Sequence, residues 1–186
     1  MTDQSTNCTP EDVLRFWFGE LSYEHWFTPS AELDRECVQR FRDAHLALSR
    51  HVDDVWRASP RNWLAAIILF DQLPRNMYRG SPLAFATDGL ALREAQLAIG
   101  ASADKAVSPE WRAFFYMPFE HSENLADQTM SVKLFTELGE PNYLDYAIRH
   151  REVIEQFGRF PHRNGIVGRR STPAEEAYLA KPGAGF

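Results

Sequence analysis

Ser59-Pro60-Arg61-Asn62-Trp63-Leu64-Ala65-Ala66-Ile67-Ile68-Leu69-Phe70-Asp71-Gln72-Leu73-Pro74 is the stretch that decides the fold. The Ser59 hydroxyl can accept from the exposed N–H groups of a helix start, and Pro60 occupies a first helical position, where its missing N–H costs nothing. Trp63, Leu64, Ile67, Ile68 and Phe70 then leave the segment apolar around most of its girth, which predicts a central helix from Pro60 to about Leu73, wrapped by others. Pro74 is expected to end it.

Working outward, the same Ser/Thr-Pro punctuation recurs at Thr9-Pro10, Thr28-Pro29, Ser81-Pro82, Ser108-Pro109 and Thr172-Pro173, giving further expected helix starts. Thr172-Pro173-Ala174-Glu175 adds the spacing of a capping box. Pro10 to Phe18 predicts a helix with Val13, Phe16 and Trp17 on one side and Gly19 as its stop, followed by an aromatic connection through Tyr23, Trp26 and Phe27. Pro29 to Val52 places Leu33, Cys37, Phe41, Ala44 and Leu48 on one face. Further helices are expected over Pro82–Ile99, with an interruption near Thr87-Asp88-Gly89 as an alternative, through the aromatic run Trp111-Arg112-Ala113-Phe114-Phe115-Tyr116 to a break or kink at Pro118, over Ser122–Leu138, and over Pro141–Phe157. No strand periodicity competes. The expectation is an all-α fold of seven or eight helices in antiparallel pairs.

The 186 residues, 44% hydrophobic, suit one globular domain over 9–186 behind a flexible polar leader, 1–8. A net charge of -6 and the lack of a long Lys/Arg run argue against a nucleic-acid partner. No segment approaches an apolar membrane span and the leader has no apolar core, so neither membrane association nor export is expected, and the compartment reads as cytoplasmic. Cys8 and Cys37 make neither a disulfide framework nor a metal-type spacing.

Three polar constellations remain once the core is assigned. Asp71, Gln72, Arg75, Asn76 and Arg79 close the central helix; they suit either a buried ion pair that fixes a loop or an anion site built on guanidinium forks. Glu120, His121, Ser122, Glu123 and Asp127 follow the aromatic run. They suit helix capping, or acid–base work by carboxylates and imidazole, but match no metal-site spacing, and no metal or cofactor is expected. The third is Phe157-Gly158-Arg159-Phe160-Pro161-His162-Arg163-Asn164-Gly165, where Gly158 ends a helix, Pro161 sets a turn, and Arg159, His162, Arg163 and Asn164 crowd together. His150, on an apolar stripe upstream, reads as a hydrogen-bonded core histidine.

Phe70-Asp71-Gln72-Leu73-Pro74-Arg75-Asn76, Phe115-Tyr116-Met117-Pro118-Phe119-Glu120-His121-Ser122-Glu123 and Gly158-Arg159-Phe160-Pro161-His162-Arg163-Asn164 together resemble the three signature blocks of a bacterial family catalogued as domain of unknown function nine-two-four. The resemblance spans nearly the whole chain after the leader. It implies a tetratricopeptide-like helical array and brings no reaction, cofactor or catalytic residue with it. No 34-residue repeat is readable in the chain itself. The residues point first to binding of a small anionic ligand or a carboxylate-bearing peptide by Arg75, Asn76, Arg79, Arg159, His162, Arg163 and Asn164. The alternatives are an enzyme using Glu120, His121, Glu123 or Asp127, and a protein-interaction scaffold presenting exposed aromatics. The oligomeric state is not legible.

Overall fold

The computed structural model describes residues 8–185, so the expected leader lies outside the described residues except for Cys8. Among the described residues there is no strand, and the expected all-α fold with helices packed in pairs is present. The helices are α1 (Pro10–Leu14), running into a π-helical turn (Arg15–Glu20), α2 (Tyr23–Phe27), α3 (Ala31–Leu48), α4 (Pro60–Asp71), α5 (Leu73–Met77), α6 (Asp88–Gly100), α7 (Pro109–Glu120), α8 (Leu125–Leu138), α9 (Pro141–Phe157) and α10 (Pro173–Leu179). Short 3-10 turns lie at Asp54–Arg57, Pro82–Phe85, Ala103–Ala106 and Pro161–Arg163.

Most punctuation works as its chemistry requires. Thr9, Ser59 and Thr172 accept from backbone N–H groups in the first turns of α1, α4 and α10, each with proline at the first helical positions. The Thr172–Glu175 capping box is closed in both directions. Gly139 and Gly158 take positive φ, 80° and 67°, and end α8 and α9 where a side chain would be strained.

The departures are local. α3 begins at Ala31 because Ser30, not Thr28, supplies the capping oxygen to Leu33 N–H. Ser81-Pro82 starts only a 3-10 turn, and α6 begins at Asp88, within the Thr87-Asp88-Gly89 interruption that the sequence offers as an alternative. Gly19 does not stop the first helix; the backbone widens into a π turn closed by Leu21 N–H on Phe16 O, which leaves Phe16 and Trp17 both buried. Pro118 sits inside α7 without ending it, and the helix runs two residues further. Its last carbonyl and that of Ser122 just beyond are met from α8, where Gln128 Nε2 donates to Glu120 O at 2.6 Å and Ser122 O at 2.7 Å. Pro74 likewise falls in the first turn of α5, after a break at Gln72, instead of closing the region.

Backbone contacts divide the chain into two compact units. The first takes in the chain to Arg79 together with Leu83–Pro118. Its axis is α4, whose Leu64–Phe70 are all buried, with α1 and α6 packed on it and α5 packed on α3. Successive apolar residues leave α4 no solvated face, so burial on every side follows from composition. An aromatic group caps one part of this unit: Phe18 stacks on Trp111 at 4.3 Å, Trp26 meets Phe114 edge-on at 5.0 Å, and Tyr23 and Phe27 stand exposed.

The second unit takes in Gly80–Pro82 and the chain from Phe119 onward. α8 and α9, joined across Gly139-Glu140, pack as a helical hairpin, and α10 packs on the Pro161–Arg163 turn. Val153, Ile154 and Phe160 form its buried apolar centre, with Phe157 and Tyr178 against them.

Candidate functional site

In the first unit the cationic residues of the central stretch meet carboxylates. Arg75 forks onto Asp88 with Nη1–Oδ1 3.0 Å and Nη2–Oδ2 3.1 Å, and Nη1 also donates to the Asp71 carbonyl. Burial alone would weaken the Arg75 cation, but Asp71 and Asp88 more than offset it and hold it firmly protonated. Arg79 forks onto Asp34 at 2.7 and 2.8 Å, and Asn76 Nδ2 donates to the same carboxylate at 2.9 Å. A third fork, Arg57 on Glu94, is completed by Trp63 Nε1 at 3.0 Å. These are planar two-bond pairings of the kind that orient elements firmly.

The first unit also buries an imidazole relay. Thr87 Oγ1 donates its one hydrogen to Phe70 O at 2.7 Å, so at 3.1 Å it must accept from His45 Nε2–H. That leaves Nδ1 as the acceptor for Tyr78 O–H at 3.3 Å. Burial pushes the His45 pKa down to about 4, and the ring is neutral.

The second unit arranges its polar residues differently. Arg159 forks onto Glu175 at 2.6 and 2.9 Å; with Thr172 N–H on the same carboxylate, the Glu175 pKa falls to about 2. Glu123 is held by Arg169 at 2.7 and 2.8 Å and by Phe160 N–H at 2.8 Å, which outweighs its burial and keeps it ionised. Asp127 accepts from Ser122 Oγ at 2.7 Å beside the start of α8, and Asn164, buried, donates to Ser171 Oγ at 3.1 Å. Glu123, Arg159 and Asn164 are thus parts of a clasp that ties the segment before α8, the region of the 3-10 turn and α10 together, while Asp127 bonds locally to Ser122.

Around Phe160 lies another grouping. His150 meets the Phe160 ring edge-on at 5.5 Å, His162 lies 5.6 Å from it, and the Arg163 guanidinium sits over it at 4.6 Å. His121 lies 6.3 Å from His150, ring to ring. His150 Nδ1 is 2.9 Å from Glu120 Oε1 and 2.8 Å from Tyr146 O, both acceptors, so Nδ1 carries a hydrogen. The His162 pKa is driven down to about 4, chiefly by burial, then by Arg163 and His150, with Glu123 pulling the other way.

Two imidazoles and one guanidinium thus meet on a buried aromatic ring, and a third imidazole, His121, and the Glu120 carboxylate lie against His150. His150, which the sequence reads as core, is buried and hydrogen-bonded as expected, yet it also joins this group. Sequence reading missed Phe160 as the hub, because an aromatic flanked by Arg and Pro gives no sign of what surrounds it. It also missed Arg169 and Glu175, whose partners lie 46 and 16 residues away. Among the described residues no set of His, Cys, Asp and Glu is arranged to hold a metal ion.

The family model described as bacterial protein of unknown function (DUF924) matches residues 13–183. The chain belongs to this family. A solved structure of a protein of unknown function from Agrobacterium tumefaciens is similar to it, with 43% sequence identity and a TM-score of 0.87, covering 92% of this chain and 96% of that one. A comparison with curated proteins gives no match. The three sequence blocks that carried the resemblance therefore lie in a DUF924 chain, and the last of them, Gly158–Asn164, holds the clasp arginine Arg159 together with Phe160, His162 and Arg163. Among the described residues of this DUF924 chain no helix is long and apolar enough to cross a membrane.

Proposed function

We propose that the second unit binds a small anion, or the carboxylate of a peptide, at the Phe160 grouping, with His162 and Arg163 as the principal donors and His121 beside them. One observation carries this reading: the cationic and imidazole groups are gathered on one ring, while the neighbouring carboxylates Glu123 and Glu175 are already committed to Arg169 and Arg159. Arg163 supplies the positive charge and the imidazole rings supply neutral N–H donors, a combination suited to an anion in a partly dehydrated setting. Arg75, Asn76, Arg79, Arg159 and Asn164 serve this reading as scaffold, since each spends its donors on protein acceptors.

The test is thermal unfolding with inorganic phosphate, acetate and succinate. A ligand at one hundred times its Kd stabilises by about 2.7 kcal/mol, and His162→Ala and Arg163→Met should each remove most of that shift. Retention of the full shift in both variants overturns the reading.

A second reading, acid–base catalysis, is favoured by the Glu120–His150 pair alone. A buried carboxylate that fixes the tautomer of an imidazole is the arrangement that prepares a general base. It predicts turnover of a phosphate or carboxylate ester, followed by NMR, that Glu120→Gln reduces about 100-fold or more while anion binding persists. Equal turnover by the Glu120→Gln protein overturns it.

A further inference from the structure

The segment that follows α10 lies directly on His162. Gly185 has φ 82°, and a Cβ placed on it would stand 3.1 Å from His162 Cβ, 3.5 Å from Cγ and 3.8 Å from Nδ1. A side chain there would be strained by that φ and would press on the His162 ring. The Nδ1 atom of His162 is buried in this arrangement.

The two ends of this stretch are held very unequally. α10 is fastened by the Arg159–Glu175 fork and by the Tyr178 ring on Phe157 at 5.2 Å. Beyond it, Lys181, Pro182 and Gly183 are exposed. Among the described residues, Lys181–Gly185 is held by a turn, Ala184 N–H to Lys181 O at 3.2 Å, and by Arg149 Nη2 on Gly183 O at 3.3 Å. Gly183, with φ 74°, supplies a second left-handed bend. A segment with exposed hydrogen bonds, small residues and little buried apolar surface opens at low cost while the helix before it stays folded.

We propose that Lys181–Gly185 is a strap that covers the Nδ1 edge of His162 and must lift for an anion to reach it. The strap's position against the ring is independent of what the ring binds; its gating role rests on the anion-site reading above. Lifting exposes an imidazole whose charge is now opposed by burial, and which faces Arg163, His150, His121 and Glu123. Returned to solvent, it gains a proton more readily and becomes a better partner for an anion. The strap thereby competes with the ligand for one face of His162.

The experiment uses the full chain with Gly185→Val, which sets a branched side chain at a left-handed φ against His162, and with Arg149→Met, which removes the donor to Gly183 O. NMR titration of the His162 ring, amide exchange at Ala184 and Gly185, and calorimetric binding of phosphate and acetate are compared with the parent protein. The expected result in both variants is faster exchange, a His162 pKa raised by about one unit or more from its depressed value, and anion affinity increased about tenfold or more. An unchanged pKa and unchanged exchange in both variants overturn the strap. A raised pKa with no gain in affinity overturns the gating. Whether the site takes anions at all is read separately, from loss of phosphate binding in His162→Ala, so the two ideas fail apart.

Discussion

The two units use the same residue types to different ends. In the first, Arg57, Arg75 and Arg79 each face a carboxylate at two points, and the one buried imidazole, His45, has both ring nitrogens placed by Thr87 and Tyr78. In the second, Arg159 and Arg169 do likewise, but His150, His162 and Arg163 are gathered on the Phe160 ring, with His121 and the Glu120 carboxylate against His150. The contrast teaches that cationic residues in a signature block are poor guides to a binding site by themselves. A guanidinium that meets an acid in plane is architecture, whereas imidazoles crowded together keep a charge state that an approaching group can change.

The largest effect should come from breaking the first unit's most enclosed fork. Glu94 is 3% exposed, so Glu94→Ala strands both Arg57 and the Trp63 N–H, and urea unfolding should show a loss of about 3–5 kcal/mol. Glu123 in the second unit is 30% exposed, and Glu123→Ala should cost only about 2 kcal/mol because this carboxylate is itself partly hydrated in the folded protein, whereas the two arginines are about equally exposed. Equal costs for the two would erase the distinction between an enclosed fork and a solvated one.

Acid should act in two windows. His45 and His162 have native pKa values near 4, below the ordinary 6.5, so the unfolded chain binds more protons between those values and stability falls as pH drops from about 6.5 to 4. His45→Gln should flatten the part of that slope owed to the first unit. Glu175, held near 2, contributes stability that is intact above about 4.5 and is lost as pH falls toward its native pKa. Urea midpoints at stepped pH separate the windows, and a flat profile from pH 6.5 to 4 would contradict the buried neutral state of both rings. The smallest effect is expected at Thr172→Ala, which removes one side of the α10 capping box and should cost about 1 kcal/mol. If the strap rides on α10, this change should also speed amide exchange at Ala184.

Much of the fold was legible because its signals are local. Ser59-Pro60, Thr172-Pro173 with Glu175, and Gly158 act within one turn of backbone, and an apolar run such as Leu64–Phe70 has nowhere to go but the interior. Where local signals compete, the chain alone misleads. Ser30 took the capping role expected of Thr28, and Pro118 stayed helical while Gln128, ten residues on, satisfied the carbonyls at the end of α7.

Residue type and spacing established that this chain would be helical, where most helices begin and end, and which polar residues escape the core. They could not say which of those residues are spent on one another. Arg79 with Asp34, Glu123 with Arg169, and Glu120 with His150 are separated by tens of residues. Whether a cation is a clasp or a donor depends on what packing sets beside it. That is a property of distances in space, through which charge and hydrogen bonding act, and only the tertiary structure decides them.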